Sequence, residues 1–179
     1  MLRLIEKKIA VYAAHTNLDV AEGGTNDVLC ARIGLKEVQP LIYDEGELAI
    51  GRHGMLAEAV TLGAFASSVK QALGLDAVRI CGDANRLVRH VAVCTGSGSK
   101  YAYLRQVKAA GCDVYITADI GFHEAQDALA DGLALIDATH FASEALIVEA
   151  LRERLALALA DEAVEVVASQ VNGQVFGSI

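Results

Sequence analysis

Aromatic residues are scarce in this sequence of 179 residues, and tryptophan is absent. Hydrophobic residues nevertheless make up 54% of the chain, and most of them are Ala, Leu, Val and Ile. Because aliphatic side chains dominate helices that pack on a parallel sheet, this composition predicts an α/β interior. The length allows one sizeable core, or two small lobes that pack closely together.

Cysteine is present but never as a C-x-x-C pair. The four cysteines are widely spaced along the chain, at Cys30, Cys81, Cys94 and Cys112. Neither a zinc ribbon nor a disulfide framework is indicated by this spacing, and buried free thiols are the expected outcome.

Long apolar runs are missing. No stretch approaches the roughly 18 to 20 apolar residues of a membrane-spanning helix, and the residues after Met1 lack the apolar core of a signal peptide. We therefore expect a cytoplasmic protein with no membrane partner.

Basic residues are fewer than acidic ones, and the formal net charge of -8 disfavours non-specific binding to nucleic acid.

Apolar segments separated by amphipathic ones predict alternating strands and helices. Strands are predicted at 9–14, 41–43, 78–82, 88–94, 112–119, 133–136 and 164–168, and helices at 1–8, 27–35, 62–73, 101–110, 123–129 and from Ser143 onward. From 88 to 159 the alternation is that of βαβ units, which build parallel sheets. The predicted fold class is α/β.

Two glycine-containing stretches are predicted to form turns. Gly51 and Gly54 interrupt an extended segment that begins at Glu45. The stretch from Thr95 to Lys100 precedes a helix, where backbone N–H groups attract anions. Its spacing matches neither G-x-x-x-x-G-K-[ST] nor G-x-G-x-x-G, so a tight strand-to-helix turn is favoured over a phosphate site.

Metal-capable side chains follow three predicted strands. Asp19 follows the first, Asp119 and His123 follow another, and His140 and Glu144 follow a third. In open α/β sheets the carboxyl ends of the strands are where ligands bind. Carboxylates gathered at one such edge need a cation to balance their charge, so a divalent metal site is one interpretation.

In the alternative interpretation, these side chains serve only the local structure, as capping or surface residues or by bonding to neighbouring backbone. A histidine near a helix start is more often a capping or surface residue than a metal ligand. Thr16, Asn17 and Asp19 follow a strand in a polar loop, where such residues commonly bond to neighbouring backbone.

Five blocks of sequence, taken together and in order, resemble the NIF3-like family of dinuclear-metal proteins. The blocks are His15-Thr16-Asn17-Leu18-Asp19 with Gly23-Gly24-x-Asn26-Asp27, Gly51-Arg52-x-Gly54-x-Leu56, Val91-Ala92-Val93-Cys94-x-Gly96-Ser97-Gly98, Asp119-x-x-x-His123-x-Ala125-Gln126-Asp127-Ala128, and Ile136-Asp137-Ala138-x-His140-x-x-x-Glu144. They span nearly the whole chain, which makes the resemblance specific.

The resemblance implies a fold, an assembly and a set of site residues. Members form hexameric toroids of α/β subunits with parallel or mixed sheets in two related lobes. Each subunit holds two divalent ions, for which Zn, Fe, Mn and Mg are the candidates. Carried over residue by residue, Asp19, His140 and Glu144 match metal ligands, with Glu144 bridging the ions. His15, Asp119 and His123 match other positions of the pocket.

One departure from the family concerns its two adjacent histidines. In the family a segment upstream of the residue matching Met1 supplies a His-His pair that completes the site, and this sequence has no such pair. We therefore expect residues 1–179 to form one NIF3-like domain that lacks the family's N-terminal part. The optional central insertion is also missing.

The expected function is that of a metal-dependent hydrolase-like protein, because some family members are named GTP cyclohydrolase 1 type 2. The substrate implied is a small molecule, with a nucleotide as the candidate. The alternative is a metal-binding assembly or regulatory protein without turnover, which the same ligands would serve.

Overall fold

A computed structural model describes residues 2–43 and 48–177. The helices are α1 (Leu2–Glu6), α2 (Thr16–Val20), α3 (Thr25–Arg32), α4 (Leu62–Ala72), α5 (Tyr101–Ala109), α6 (Phe122–Ala130), α7 (His140–Ala145) and α8 (Ile147–Ala158). The strands are β1 (Lys36–Tyr43), β2 (Ala49–Thr61), β3 (Arg79–Cys81), β4 (Leu87–Ser97), β5 (Val114–Ala118) and β6 (Ala134–Asp137). In these ranges no helix is long and apolar enough to cross a membrane.

The six strands form one mixed sheet in the order β1-β2-β4-β5-β6-β3. Strands β4, β5 and β6 run parallel and are joined through α5 and α6, which confirms the predicted βαβ alternation. Strands β1, β2 and β3 pair antiparallel with their neighbours. The α/β class is thus confirmed, and the carboxyl ends of three adjacent parallel strands meet at one edge.

Both faces of the sheet are covered, as the apolar runs of its central strands require. Val91 and Val93 of β4 face a core that includes side chains of α3 and α4. Ala92, between them, faces a second core with α5 and α6. The central strands therefore bury alternate residues on opposite sides, and the sheet separates two apolar layers.

Helix α4 begins where the sequence predicts. The Thr61 side chain accepts a hydrogen bond from the Ala64 backbone N–H at 3.3 Å. This is the bond of an N-cap residue, and it satisfies a backbone donor that the first turn of a helix leaves without a partner.

Two predicted strands, 9–14 and 164–168, are not present. Both segments lie outside the sheet, and their large apolar residues are exposed, with Val11 at 63% and Val167 at 73% exposure. A strand is stabilised by a hydrogen-bonded neighbour, and these segments have none among the described residues.

The predicted turn at Gly51 and Gly54 is also wrong, because β2 runs straight through both glycines. A Cβ atom on Gly51 would lie 2.7 Å from the Val93 carbonyl oxygen, and one on Gly54 would lie 2.7 Å from the Lys36 carbonyl oxygen. These glycines therefore allow close approach of the neighbouring strands. The start of the predicted extended segment, at Glu45, lies outside the described residues.

Candidate metal centre

A cavity of about 700 Å³ opens beside the end of β4, close to the carboxyl ends of the parallel strands. Four of the predicted site residues line it, namely His15, Asp19, His140 and Glu144. Its size falls within the range of small-molecule sites in proteins. The sheet topology therefore brings together side chains that are far apart in the sequence.

His140 and Glu144 both belong to helix α7. The sequence predicts that the helix begins at Ser143, but it begins at His140 and ends at Ala145. Residues four apart on a helix share a face, and His140 Nε2 lies 3.3 Å from Glu144 Oε1. The two predicted ligands are thus neighbours on the helix.

Asp119 orients the His140 ring from the end of the neighbouring strand β5. Its Oδ2 atom lies 2.6 Å from His140 Nδ1, so the Nδ1–H group donates to the carboxylate. A carboxylate on one nitrogen of a metal-binding histidine commonly directs the other nitrogen to the metal. The bond to Asp119 is the main reason that the pKa of His140 is raised, and the negative charge of Glu144 adds to it.

The backbone on either side of this contact is strained. Asp119 has φ 53° and Thr139 has φ 59°, and both lie just beyond the ends of parallel strands. Aspartate tolerates the left-handed region, but for a β-branched threonine it is costly. The Asp137 carboxylate accepts a hydrogen bond from the Thr139 N–H at 3.0 Å. Strain of this kind is concentrated at functional sites, where the surrounding structure sustains it.

Asp19 is oriented by two buried threonines. Thr25 Oγ1 donates to Asp19 Oδ1 at 2.6 Å, and Thr95 Oγ1 donates to Thr25 Oγ1 at 2.9 Å. Asn26, which is fully buried, donates to the Asp19 carbonyl oxygen at 3.3 Å and accepts from the Thr95 N–H at 2.9 Å. The Asp19 carboxylate is therefore linked to strand β4 through Thr25, the first residue of α3. Asn17 does bond to neighbouring backbone, as the alternative interpretation predicts, because its side chain accepts a hydrogen bond from the His15 N–H.

Arg52 of β2 binds the C-terminal end of α2, the helix that carries Asp19. Its Nε atom lies 2.6 Å from Asp27 Oδ1, and the side chain is 8% exposed. Its terminal nitrogens also donate to backbone carbonyls, including that of Val20 at 3.2 Å. A guanidinium can satisfy several acceptors at once with fixed geometry, which a lysine cannot do.

Gly96 lies directly against the two predicted ligands of α7. It has φ +64°, and a Cβ atom there would lie 2.4 Å from Glu144 Oε1 and 3.3 Å from His140 Nε2. Its N–H donates to Ser143 Oγ at 3.0 Å, and this hydroxyl donates to the His140 carbonyl oxygen. A residue with a side chain would occupy the space beside the ligand atoms.

In the glycine-rich stretch, the N–H groups of Gly96 and Gly98 already donate to side chains of the protein. The Gly96 N–H is bound by Ser143, and the Gly98 N–H donates to Thr117 Oγ1 at 2.9 Å. The Tyr115 hydroxyl donates to the Gly98 carbonyl oxygen. These contacts support the interpretation as a tight strand-to-helix connection, although β4 extends to Ser97 before the connection begins.

The charges around the cavity suit a cation. Burial is the main reason that the pKa of Glu144 is raised; the charge of His140 opposes the shift, and the negative charges of Asp19 and Asp119 add to it. A cation would relieve this repulsion, so the donor set fits a divalent metal. Among the described residues, the ligand atoms of Asp19, His140 and Glu144 do not all lie within 4.8 Å of one another. Binding therefore requires these side chains to converge.

The remaining two predicted pocket residues differ in their placement. Asp119 contacts His140 and lines an adjoining cavity that also includes His140 and Glu144. His123 does not line either cavity, because it is exposed on α6 with its ring against Phe122, at 5.6 Å between ring centroids. The structure therefore associates Asp119 with the candidate centre and leaves His123 outside it.

The sequence analysis assigned no role in the site to Thr25, Asn26 or Arg52. Thr25 and Asn26 directly precede the helix predicted at 27–35, where their residue types are typical. Their near-complete burial is the signal of a further role, because buried polar groups need partners. That signal arises only from the tertiary structure.

Comparisons with known proteins agree with this fold. The family model of Duf34/NIF3 (NGG1p interacting factor 3) matches residues 1–174. The chain is 40% identical over 142 residues to a Streptococcus pneumoniae protein named GTP cyclohydrolase 1 type 2 homolog, covering 77% of this chain and 52% of that protein. A Nostoc protein of the same name is 36% identical over 151 residues, covering 83% and 57%. The chain spans about half the length of these relatives.

Solved structures are similar as well. A Bacillus cereus protein related to NIF3 superposes with a TM-score of 0.91 at 25% identity, covering 99% of this chain and 76% of that one. Reduced HcgD from Methanocaldococcus jannaschii superposes with a TM-score of 0.70 at 29% identity, covering 90% and 61%.

Proposed function

We propose that this chain, which belongs to the Duf34/NIF3 family, binds a divalent metal ion through Asp19, His140 and Glu144 and acts as a metal-dependent hydrolase on a small molecule. The proposal extends to this chain the activity that its relatives' name, GTP cyclohydrolase 1 type 2 homolog, suggests. The observation that carries it is the contact between Asp119 and His140 in a cavity that Asp19 and Glu144 also line.

The chain's own residues orient the donor atoms. Asp119 holds the proton on His140 Nδ1, which leaves Nε2 on the side of Glu144. Thr25 occupies one oxygen of Asp19 and keeps this carboxylate at the cavity wall. These contacts fix the His140 ring and one oxygen of Asp19 before the side chains converge on an ion.

When bound, a divalent cation supplies Lewis acidity, which polarises a substrate oxygen and lowers the pKa of a bound water. The bond to Asp119 raises the pKa of His140, which favours a proton on Nε2 that such an ion would displace. Metal uptake is therefore expected to release a proton.

Lys100 and Ser97 line the same cavity on the side of β4 and α5. Lys100 Nζ donates to the Tyr103 hydroxyl at 3.1 Å, which keeps the ammonium group near the wall. An ammonium group in the same cavity as the carboxylates suits a substrate with an anionic part, such as the phosphates of a nucleotide. GTP is accordingly the first substrate to test.

The test is hydrolysis of GTP by the purified chain. Metal is removed with a chelator and restored as Mn²⁺, Zn²⁺ or Fe²⁺, and product formation is followed chromatographically. We expect turnover that depends on the metal and is lost in Glu144→Gln but retained in Glu58→Gln, a matched change at an exposed position of β2. Metal binding without turnover would instead support a metal-binding assembly or regulatory protein.

A further inference from the structure

A second group of metal-capable side chains lies in the sheet, away from the cavity. His53 is on β2, His90 is on β4, and Cys112 lies two residues before β5. One ligand atom from each residue lies within 4.8 Å of the others. Within residues 2–43 and 48–177 this is the one group of three or more His, Cys, Asp or Glu that meets this criterion.

The tautomer of His90 is set by the backbone. Its Nδ1 atom lies 3.2 Å from the Gly111 carbonyl oxygen, which can only accept, so Nδ1 carries the proton. The Nε2 atom then has a free lone pair, and it lies 2.7 Å from His53 Nδ1. Backbone carbonyls commonly orient metal-binding histidines in this way. His90 thus presents an unprotonated nitrogen to the group.

The segment that carries Cys112 is fixed to His90. The Asp113 N–H donates to the His90 carbonyl oxygen at 2.8 Å, and the Asp113 carboxylate accepts from the His90 N–H at 2.8 Å. Cys112 itself is 3% exposed. The backbone segments that carry the thiol and the imidazole are therefore held together by two hydrogen bonds between Asp113 and His90.

We propose that His53, His90 and Cys112 bind Zn²⁺, with a water molecule in the fourth position. Two imidazoles and a thiolate are typical ligands of this borderline-soft ion. With Zn–N bonds near 2.0 to 2.1 Å, tetrahedral geometry separates two nitrogens by roughly 3.3 Å. The 2.7 Å between His53 Nδ1 and His90 Nε2 therefore has to widen slightly, and the half-buried ring of His53 can make this movement.

Binding exchanges protons for the ion. The proton now shared between His53 Nδ1 and His90 Nε2 moves to His53 Nε2, and the Cys112 thiol releases its proton to solvent, so that a thiolate reaches the ion. Burial, with Asp113 adding to it, raises the pKa of Cys112 to about 12. Without an ion the thiol therefore stays protonated.

This site is separate from the candidate centre. His90 is near the start of β4 and Thr95, which lines the cavity, is near its end. Five residues of extended chain separate these positions by roughly 17 Å. The bound ion would fasten β2, β4 and the start of β5 together at the opposite end of the sheet.

The test uses Co²⁺ as a spectroscopic substitute for Zn²⁺ on the full chain after treatment with a chelator. A thiolate bound to Co²⁺ produces a charge-transfer band in the near ultraviolet. We expect a band that saturates at one ion per chain, disappears on addition of Zn²⁺ and is absent in Cys112→Ser. It should persist in Cys94→Ser, which removes the buried cysteine that lines the candidate centre.

Further variants exclude a folding artefact and separate the two sites. His53→Gln changes a half-buried residue, and it should weaken Co²⁺ binding by at least about tenfold while circular dichroism stays unchanged. Glu144→Gln changes the candidate centre and not this group, so it should leave the Co²⁺ band intact. This expectation does not depend on the hydrolase proposal. Absence of a band in the unmodified chain, or its persistence in Cys112→Ser, would overturn the proposal and leave a hydrogen-bonded histidine pair beside a buried thiol.

Discussion

His140 and Asp119 are joined by a hydrogen bond of 2.6 Å between Nδ1 and Oδ2, although they are 21 residues apart in the sequence. Asp119 follows β5 and His140 follows β6, so the contact depends on the parallel pairing of these strands. Each side chain is about half exposed, at 48% and 49%. The contact therefore orients an accessible imidazole.

Replacing Asp119 with Asn should weaken metal binding at the candidate centre. The amide keeps the shape of the carboxylate but not its charge, so His140 becomes a poorer and less well oriented ligand. Loss of such a partner typically costs about 10- to 100-fold in metal affinity. Isothermal titration with Mn²⁺ checks this, with Asp131→Asn at the exposed end of α6 as the control. Equal affinity in both variants would contradict the assigned role.

The same variant should change how stability depends on pH in the metal-free chain. The pKa of His140 is raised above 6.5, so its contribution to stability is fully present below pH 6.5. That contribution is lost as the pH rises through the raised pKa of the folded state. The excess stability of the unmodified chain over Asp119→Asn should therefore shrink with increasing pH. Urea unfolding of both chains in the presence of a chelator measures it; a difference that grows with pH would refute the assignment.

Gly96→Ala should reduce metal affinity at the candidate centre, whereas Gly98→Ala should reduce only the stability of the core. A methyl group on Gly96 meets Glu144 and His140, while one on Gly98 would lie 2.5 Å from Thr117 Oγ1 and 2.6 Å from the Tyr115 hydroxyl. We expect reduced metal affinity in the first variant. In the second we expect unchanged affinity and a loss of about 1 to 3 kcal/mol in unfolding free energy.

Gly74→Ala is the control for the backbone of Gly96. Gly74 has φ +63° with nothing within 4 Å of the added Cβ atom, so its substitution carries only the cost of the left-handed conformation, about 1 kcal/mol. Thermal unfolding and metal titration are compared across the three variants. If Gly96→Ala bound metal as well as Gly74→Ala does, the contact with Glu144 would be irrelevant to binding.

Arg52→Met should destabilise the chain and loosen α2, the helix that carries Asp19. The change removes the guanidinium that pairs with the Asp27 carboxylate and donates to the Val20 carbonyl, and it leaves Asp27 with only its bond from the Gly23 N–H. Breaking one side of such a pair costs about 3 kcal/mol. Urea unfolding measures the loss. Arg89→Met, at an exposed position of β4, is the matched control, and equal losses in both would argue against a special role for Arg52.

The exposed apolar segment before α2 should promote self-association. Ile9, Val11 and Tyr12 are 54%, 63% and 84% exposed, and adjacent apolar side chains in water favour contact between chains. Light scattering on the unmodified chain should give a mass above that of a monomer, and the double variant Val11→Asp, Tyr12→Ser should lower it. A concentrated sample that stays monomeric would contradict this prediction.

The sequence by itself determined the α/β class and the parallel arrangement of β4, β5 and β6. It also indicated that metal-capable residues follow these strands. The physical reason is that apolar periodicity depends on neighbouring residues, and a parallel connection necessarily returns each strand's carboxyl end to the same edge. The common edge that holds Asp119, His140 and Glu144 was therefore predictable, and His123 was included with them because it also follows a strand.

Only the tertiary structure decided which of these side chains meet. It joined Asp119 to His140, left His123 exposed, and gathered His53, His90 and Cys112 from three elements. It also left 9–14 and 164–168 outside the sheet, although their apolar content is typical of strands. The physical reason is that strand register, helix placement and burial depend on contacts between distant segments, which local periodicity does not specify.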